Sequence, residues 1–174
     1  MAIDEKENLK GEEALNKIRE LLKELPIAFM VTIEGPEIVA RPIGVVGDHG
    51  AFDGTLWFIT DRRSRKVRAI ERGAITELLF QNDKAGTYLH LSGHARVVED
   101  PPKLRELYTP LQRTWFPDGP DDPNMLLVRF DATAANYWDG HASQLRLAAA
   151  FAKSLVTGTP GASGHAGTAS IKRE

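Results

Sequence analysis

Residues 55–68 read Thr55-Leu56-Trp57-Phe58-Ile59-Thr60-Asp61-Arg62-Arg63-Ser64-Arg65-Lys66-Val67-Arg68. Leu56 to Ile59 is a short run of apolar, β-prone residues, which predicts a strand. The strand then meets a polar turn in which Arg62, Arg63, Arg65, Lys66 and Arg68 are all basic. Ser64 stands at the N-cap of a helix that continues through Val67, Ala69 and Ile70. A strand feeding a helix start, with free backbone N–H groups, a hydroxyl and several cations, is suited to hold a phosphate. The whole chain has a formal net charge of -2, so this basic cluster is local. It points to a small anionic ligand more than to a nucleic-acid surface. The aromatic residues are not interleaved with the cations as a stacking platform would need.

Outward from this stretch, hairpin-length turns dominate. Strands are predicted over Ile27–Ile33, Ile38–Val46, Thr55–Thr60, Ala74–Gln81, Thr87–Val98 and Met125–Ala135, with a bulge at Gly93. Too few helices intervene for a doubly wound parallel sheet, so the sheet is antiparallel. At 174 residues the expected closure is a small barrel with helices outside it. Leu15, Ile18, Leu21, Leu22 and Leu25 recur at helical spacing and predict an amphipathic helix over about 11–25, ended by Pro26. The helix from Ser64 ends near Gly73, a C′ glycine. Pro101 and Pro102 open another helix to about Leu111, and a further helical stretch is expected over 143–154. Residues 1–156 form one expected domain. Residues 157–174 are a tail of Gly, Ala, Ser and Thr, flexible or draped over the surface.

Composition narrows the chemistry. The chain has no cysteine, which removes disulfides, thiolate nucleophiles and Cys-based zinc sites. This suits a cytoplasmic location. The charged N-terminus is unlike a signal peptide, and the longest uncharged apolar run, Leu25–Ile33, cannot span a bilayer. His90 and His94 have the spacing of a helical metal pair but lie on a strand, where four residues rise roughly 13 Å, too far for one ion. No metal site is expected. Arg41 in mid-strand beside Pro42 reads first as an exposed-face arginine, with a sheet edge or a site wall as the alternative. Trp57, Trp115 and Trp138 are read first as anchors of core and loops. No serine elbow or acid–base set emerges, so a cofactor is expected to carry any chemistry.

Four motifs in order then resemble a known family. Leu56-Trp57-Phe58-Ile59-Thr60 followed by Ser64-Arg65-Lys66 resembles the Phe-x-Thr…Ser-Arg-Lys signature of pyridoxamine 5′-phosphate oxidase-like flavoproteins. Ala40-Arg41-Pro42-Ile43, Leu91-Ser92-Gly93-His94-Ala95 and Tyr137-Trp138-Asp139-Gly140 resemble three further motifs of that family. The nearest branch is that of the bacterial general stress proteins. The resemblance implies a six-stranded antiparallel split β-barrel, mainly β with peripheral helices, and a homodimer with FMN at its interface. It implies that Ser64, Arg65, Lys66 and Thr60 hold the FMN phosphate. Arg41, Pro42, Ile43 and Ile59 would line the flavin, and Trp138 would approach it from the partner subunit. Two departures separate the chain from the true oxidases. Tyr88 replaces a flavin-contacting glutamine, and Gln144-Leu145-Arg146-Leu147-Ala148 replaces a substrate-binding basic stretch. The expectation is therefore an FMN-dependent oxidoreductase of unidentified substrate, not a pyridoxamine 5′-phosphate oxidase. A non-catalytic flavin-binding or sensing module stands beside it. So does a split barrel using haem or a deazaflavin, with His90, His94 or His165 as nominal haem ligands.

Overall fold

A computed structural model describes residues 7–140 and 166–171. The element order is β1 (Glu7–Lys10), α1 (Gly11–Leu22), β2 (Ile27–Glu34), β3 (Glu37–Gly44), β4 (Thr55–Asp61), α2 (Arg65–Glu71), β5 (Thr76–Asn82), β6 (Thr87–Val98), α3 (Pro101–Leu107), β7 (Met125–Trp138) and β8 (Ala166–Ser170). The helical stretch expected over 143–154, residues 144–148 and His165 lie outside the described residues.

β2 to β7 are the six expected strands, and every pairing among them is antiparallel. The path runs β3-β2-β5-β6-β7, and β4 pairs with the start of β7. Val46, just after β3, donates its N–H to the carbonyl of Trp57 in β4 at 2.9 Å. That single bridge joins the two free edges and closes the barrel.

The split lies in β7. Residues 125–131 pair with β4, and residues 134–138 pair with β8 on the same edge. Thr133 sits between them as an extra residue: Gly93 faces Ala132 and Ser92 faces Ala134, so the β6 ladder shifts there. This is the bulge expected at Gly93. A Cβ on Gly93 would lie 2.3 Å from the Asp131 carbonyl oxygen and 2.7 Å from the Phe130 ring, so only glycine fits.

Alternation explains the core. Along β4, Leu56, Phe58 and Thr60 are buried while Thr55, Trp57, Ile59 and Asp61 are half-exposed. The inward residues meet Phe80, Leu89, Leu91, Phe130 and Tyr137. The apolar stripe of α1 (Ala14, Ile18, Leu21, Leu22) covers this core from outside, Ile18 and the two leucines each contributing roughly 1.5–3 kcal/mol. Lys17 on α1 pairs with buried Asp139 at the end of β7, pinning helix to strand.

The C-terminal stretch departs from expectation. Ala166–Ser170 forms β8, antiparallel to β7 and parallel to β1. Its small residues are what fit: a Cβ on Gly167 would fall 2.3 Å from the Tyr137 ring. The β1–β8 pair extends the expected six strands to eight. β7 runs past its expected end at Ala135, and Trp138 is its last residue.

Candidate functional site

β4 ends at Asp61, the chain turns, and α2 begins at Arg65 with Ser64 at its N-cap. Asp61 organises the turn by accepting from the Arg63 backbone N–H at 2.7 Å and from its guanidinium at 3.0 and 2.7 Å. The side chain and then the backbone N–H of Arg63 hold the Asp61 carboxyl down at about 2. α2 ends as expected. Gly73, at φ 75, donates to Ile70, and Ala74 donates to Ala69, a Schellman closure that only a positive φ allows.

The five cations of the turn are not equivalent. Arg62 pairs with Glu99 and Arg63 with Asp61, while Arg68 donates to the Arg63 carbonyl oxygen at 2.7 Å. Arg65 is exposed, and its guanidinium reaches Glu34 and Glu37, both at 3.1 Å. Lys66 differs. Its Nζ donates to Thr60 Oγ1 at 2.8 Å, and among the described residues it has no carboxylate within ion-pair distance. Burial chiefly, and next the positive charge of Arg41, push its pKa below the ordinary lysine value, with Asp61 opposing. Beside it, the Ser64 hydroxyl is buried without a hydrogen-bond partner and does not cap its helix. α2 has only seven residues, so charge more than helix dipole makes this place attractive to an anion.

Arg41 lies on β3, the edge of the barrel path, as its neighbouring proline implied. Its side chain is largely buried and is held by Thr32 and Glu34, each at 2.5 Å. Glu34 is the hub. It accepts from Thr32 at 2.8 Å, from Arg41 and from Arg65, and its pKa is lowered by the Thr32 hydroxyl first and by the arginines after it. Thr32, Glu34 and Glu37 were not foreseen. Their signal was Glu34-Gly35-Pro36-Glu37 closing a hairpin across from an arginine-bearing strand, which reads as a turn until register is known.

The structure thus gathers Thr60, Ser64, Lys66, Arg41 and Arg65 around one strand–helix turn. Four other expected residues stand apart. Pro42 is exposed on the outer face of β3. The Ile43 side chain is buried in the core, so only its main chain is free. Ile59 points away from Thr60, toward Trp57, Val98 and Leu104. Trp138 is at the far end of β7 from Leu126, which pairs with Thr60, and it is 49% exposed. Twelve strand residues separate the two positions, roughly 40 Å of chain. The Trp138 of the same protomer is therefore remote from Lys66.

His90 Nε2 lies 2.7 Å from a Glu77 oxygen, and no group of three metal-ligating side chains occurs among the described residues. Nor is any described helix long and apolar enough to cross a membrane. Two surface cavities lie off the turn. One of about 440 Å³ sits between residues 45–57 and α3, and one of about 470 Å³ sits along the outer side of α2.

Fold and turn together define a split barrel in which a half-buried lysine, with no carboxylate partner among the described residues, stands beside a buried, unpartnered hydroxyl where a strand hands over to a helix. The sequence profile of the "Pyridoxamine 5′-phosphate oxidase like" family matches residues 13–161, and the chain belongs to that family. Among solved structures, a chain assigned as general stress protein 26 from Jannaschia sp. CCS1 is 20% identical, with a TM-score of 0.73 over 92% of this chain and 99% of that one. The general stress FMN/FAD binding protein of Xanthomonas citri is 24% identical, with a TM-score of 0.64 over 75% of this chain and 91% of that one. Protein bli-3 of Neurospora crassa is 27% identical over 113 residues, 60% of this chain and 54% of bli-3. The chain therefore matches about half the length of that curated relative.

Proposed function

We propose that the protein is a cytoplasmic FMN-binding flavoprotein of the general stress type, working as a homodimer. The observation that carries this reading is Lys66, a partly buried cation with no carboxylate partner among the described residues, beside the unsatisfied Ser64 hydroxyl. A buried cation is stable when an anion completes it, and a phosphate also supplies the acceptor that Ser64 lacks. Lys66, Ser64 and Thr60 would hold the FMN phosphate directly, with Arg65 over its outer side and Arg41 at its inner side. Glu34 would keep both guanidiniums oriented. Pro42, the main chain of Ile43 and Ile59 would flank the ring, and the partner's Trp138 would cover it.

Three features support the dimer. Trp138 is half exposed and cannot serve its own turn. The outer sheet face also presents Ile27, Phe29, Leu79 and Tyr88, each at least 40% exposed. Register aligns Pro42, Phe29 and Leu79 in one row across three strands, and Tyr88 with Trp138 in the next. An apolar face of this breadth is costly in water and is what a subunit interface covers. In this reading 1–156 is the flavin domain, and 157–174 contributes β8 to its sheet.

FMN, when bound, supplies hydride or electron transfer. The chain supplies charge for the phosphate, a pocket wall and exclusion of water. A second reading, flavin binding without turnover, is favoured because no acid–base set is recognisable in the sequence. Anaerobic addition of NADH or NADPH to the flavin-loaded protein separates them: bleaching that an acceptor reverses means an oxidoreductase. The binding test is Lys66→Ala. Losing a charge-assisted phosphate contact should weaken FMN by about tenfold to a hundredfold in a fluorescence titration. Riboflavin, which has no phosphate, should change little. Equal loss for both ligands would overturn the phosphate assignment.

A further inference from the structure

His90 and Glu77 form a pair that the flavin reading leaves without a role. Nε2 of His90 lies 2.7 Å from Oε2 of Glu77, and the two side chains are 30% and 31% exposed. They are diagonal neighbours, since Leu79 faces His90 and Glu77 faces Ser92 across β5 and β6. An ionised carboxylate can only accept, so Glu77 places the ring proton on Nε2. Nδ1 is then the open nitrogen, with the Asn136 amide 3.5 Å away, at the limit of a hydrogen bond. An imidazole fixed by a carboxylate at one nitrogen and open at the other is equipped to give and take a proton.

A surface ion pair needs no function, and it contributes little to stability. This pair stands within the apolar face described above. Among the outward positions adjoining His90 on β2, β5, β6 and β7, Tyr88 is the only titratable group besides Glu77, and Glu77 alone is charged at neutral pH. A subunit covering that face buries the pair, and apolar side chains of the same size serve a buried interface as well or better. Position suggests chemistry instead. Tyr88 faces Trp138 and His90 faces Asn136, so the imidazole stands one row, roughly 7 Å, from the Tyr88–Trp138 pair.

We propose that His90 is the proton donor and acceptor of the flavin site on the partner subunit, with Glu77 as its positioning residue. This rests on the flavin reading above: the face that brings Trp138 to the partner's flavin brings His90 with it. The substrate class is one that exchanges a hydride at carbon and a proton at the neighbouring heteroatom, as a carbonyl and its alcohol do. The bound flavin supplies the hydride, drawn from NADH or NADPH. As the C–H bond forms, the carbonyl π pair moves to oxygen and takes the proton from His90 Nδ1. Glu77 stabilises the imidazolium before transfer, and water returns a proton to Nδ1 afterwards.

The test uses the full chain. Histidine ring resonances are followed by NMR, with that of His90 assigned by its absence from His90→Asn. Saturating FMN should displace the His90 resonance by ring current, while that of His49, held at the Leu22 carbonyl, stays in place. With NADPH as donor and diacetyl as the carbonyl probe, His90→Asn and Glu77→Gln should each lower kcat by about a hundredfold. KM should stay within about twofold, and the pH profile of His90→Asn should lose one limb. Glu77→Gln keeps the shape and a hydrogen bond, and Glu77→Asp should restore part of the rate, so misfolding does not account for the loss. A His90 resonance that ignores bound FMN overturns the proposal. So do variants that keep the wild-type kcat, and so does flavin-loaded wild-type protein that leaves diacetyl untouched. In all three cases the flavin reading stands. If wild-type protein binds no FMN, the underlying reading falls and this inference falls with it.

Discussion

Lys66 is a half-buried cation whose Nζ donates to Thr60, with no carboxylate partner among the described residues. Its folded pKa is lowered, so over the range from that value up to 10.5 the unfolded chain binds more protons than the folded one. Stability of the ligand-free protein should therefore rise with pH in that window. Binding has the opposite sign, since a phosphate is attracted to the protonated lysine alone. FMN affinity should fall as pH climbs through the lowered Lys66 value, before the ordinary lysine range is reached. Riboflavin affinity should not follow it. Parallel titrations from neutral pH upward check this, and a flat FMN profile would remove Lys66 from the site. Ser64 and Lys66 could be singled out from their order behind the Phe58-Ile59-Thr60 strand. What could not be read was that Arg65 is drawn to Glu34 and Glu37, because those carboxylates lie about thirty residues upstream. Only strand register brings them to the turn.

At the scale of elements, β7 does most to shape the molecule. It is one strand with β6 along one edge and two different partners, β4 and β8, along the other. The change of partner coincides with the bulge at Gly93 and Thr133, where the added twist lets the two ladders diverge. Gly93→Ala should therefore cost on the order of 3 kcal/mol, because neither the Asp131 carbonyl nor the Phe130 ring has room to yield. Denaturant unfolding monitored by tryptophan fluorescence measures it, and a loss below roughly 1 kcal/mol would mean that the bulge relaxes. The bulge was foreseen from a glycine inside a strand pattern. β8 was not. Ala166-Gly167-Thr168-Ala169-Ser170 has no alternation and weak β propensity, and its pairing with β1 and β7 comes from space that only small side chains fit.

At the scale of the whole molecule, the barrel closes on a single bridge between Val46 and Trp57 and leaves a broad apolar face uncovered. A charge in the middle of that face should break a dimer without touching the core. Leu79→Arg, or Phe29→Asp at the adjoining position, should shift sedimentation from dimer to monomer at micromolar concentration. Flavin affinity should fall with it, because the partner's Trp138 is lost. An unchanged dimer would place the interface elsewhere. Alternation within each strand made such a face predictable in kind. Its extent depends on how five strands align.

The sequence by itself determined the elements and the charge chemistry. Hairpin turns, alternating strands, an amphipathic helix and a Ser64-Arg65-Lys66 turn are properties of neighbours within a few residues, and local physics carries them. Tertiary structure decided which cations of the turn pair with carboxylates, which residues wall the half-buried Lys66, where β7 changes partner and which face stays apolar and open. Those depend on register between segments tens of residues apart. A shift of one residue in register turns every side chain to the other face, so no local signal encodes them.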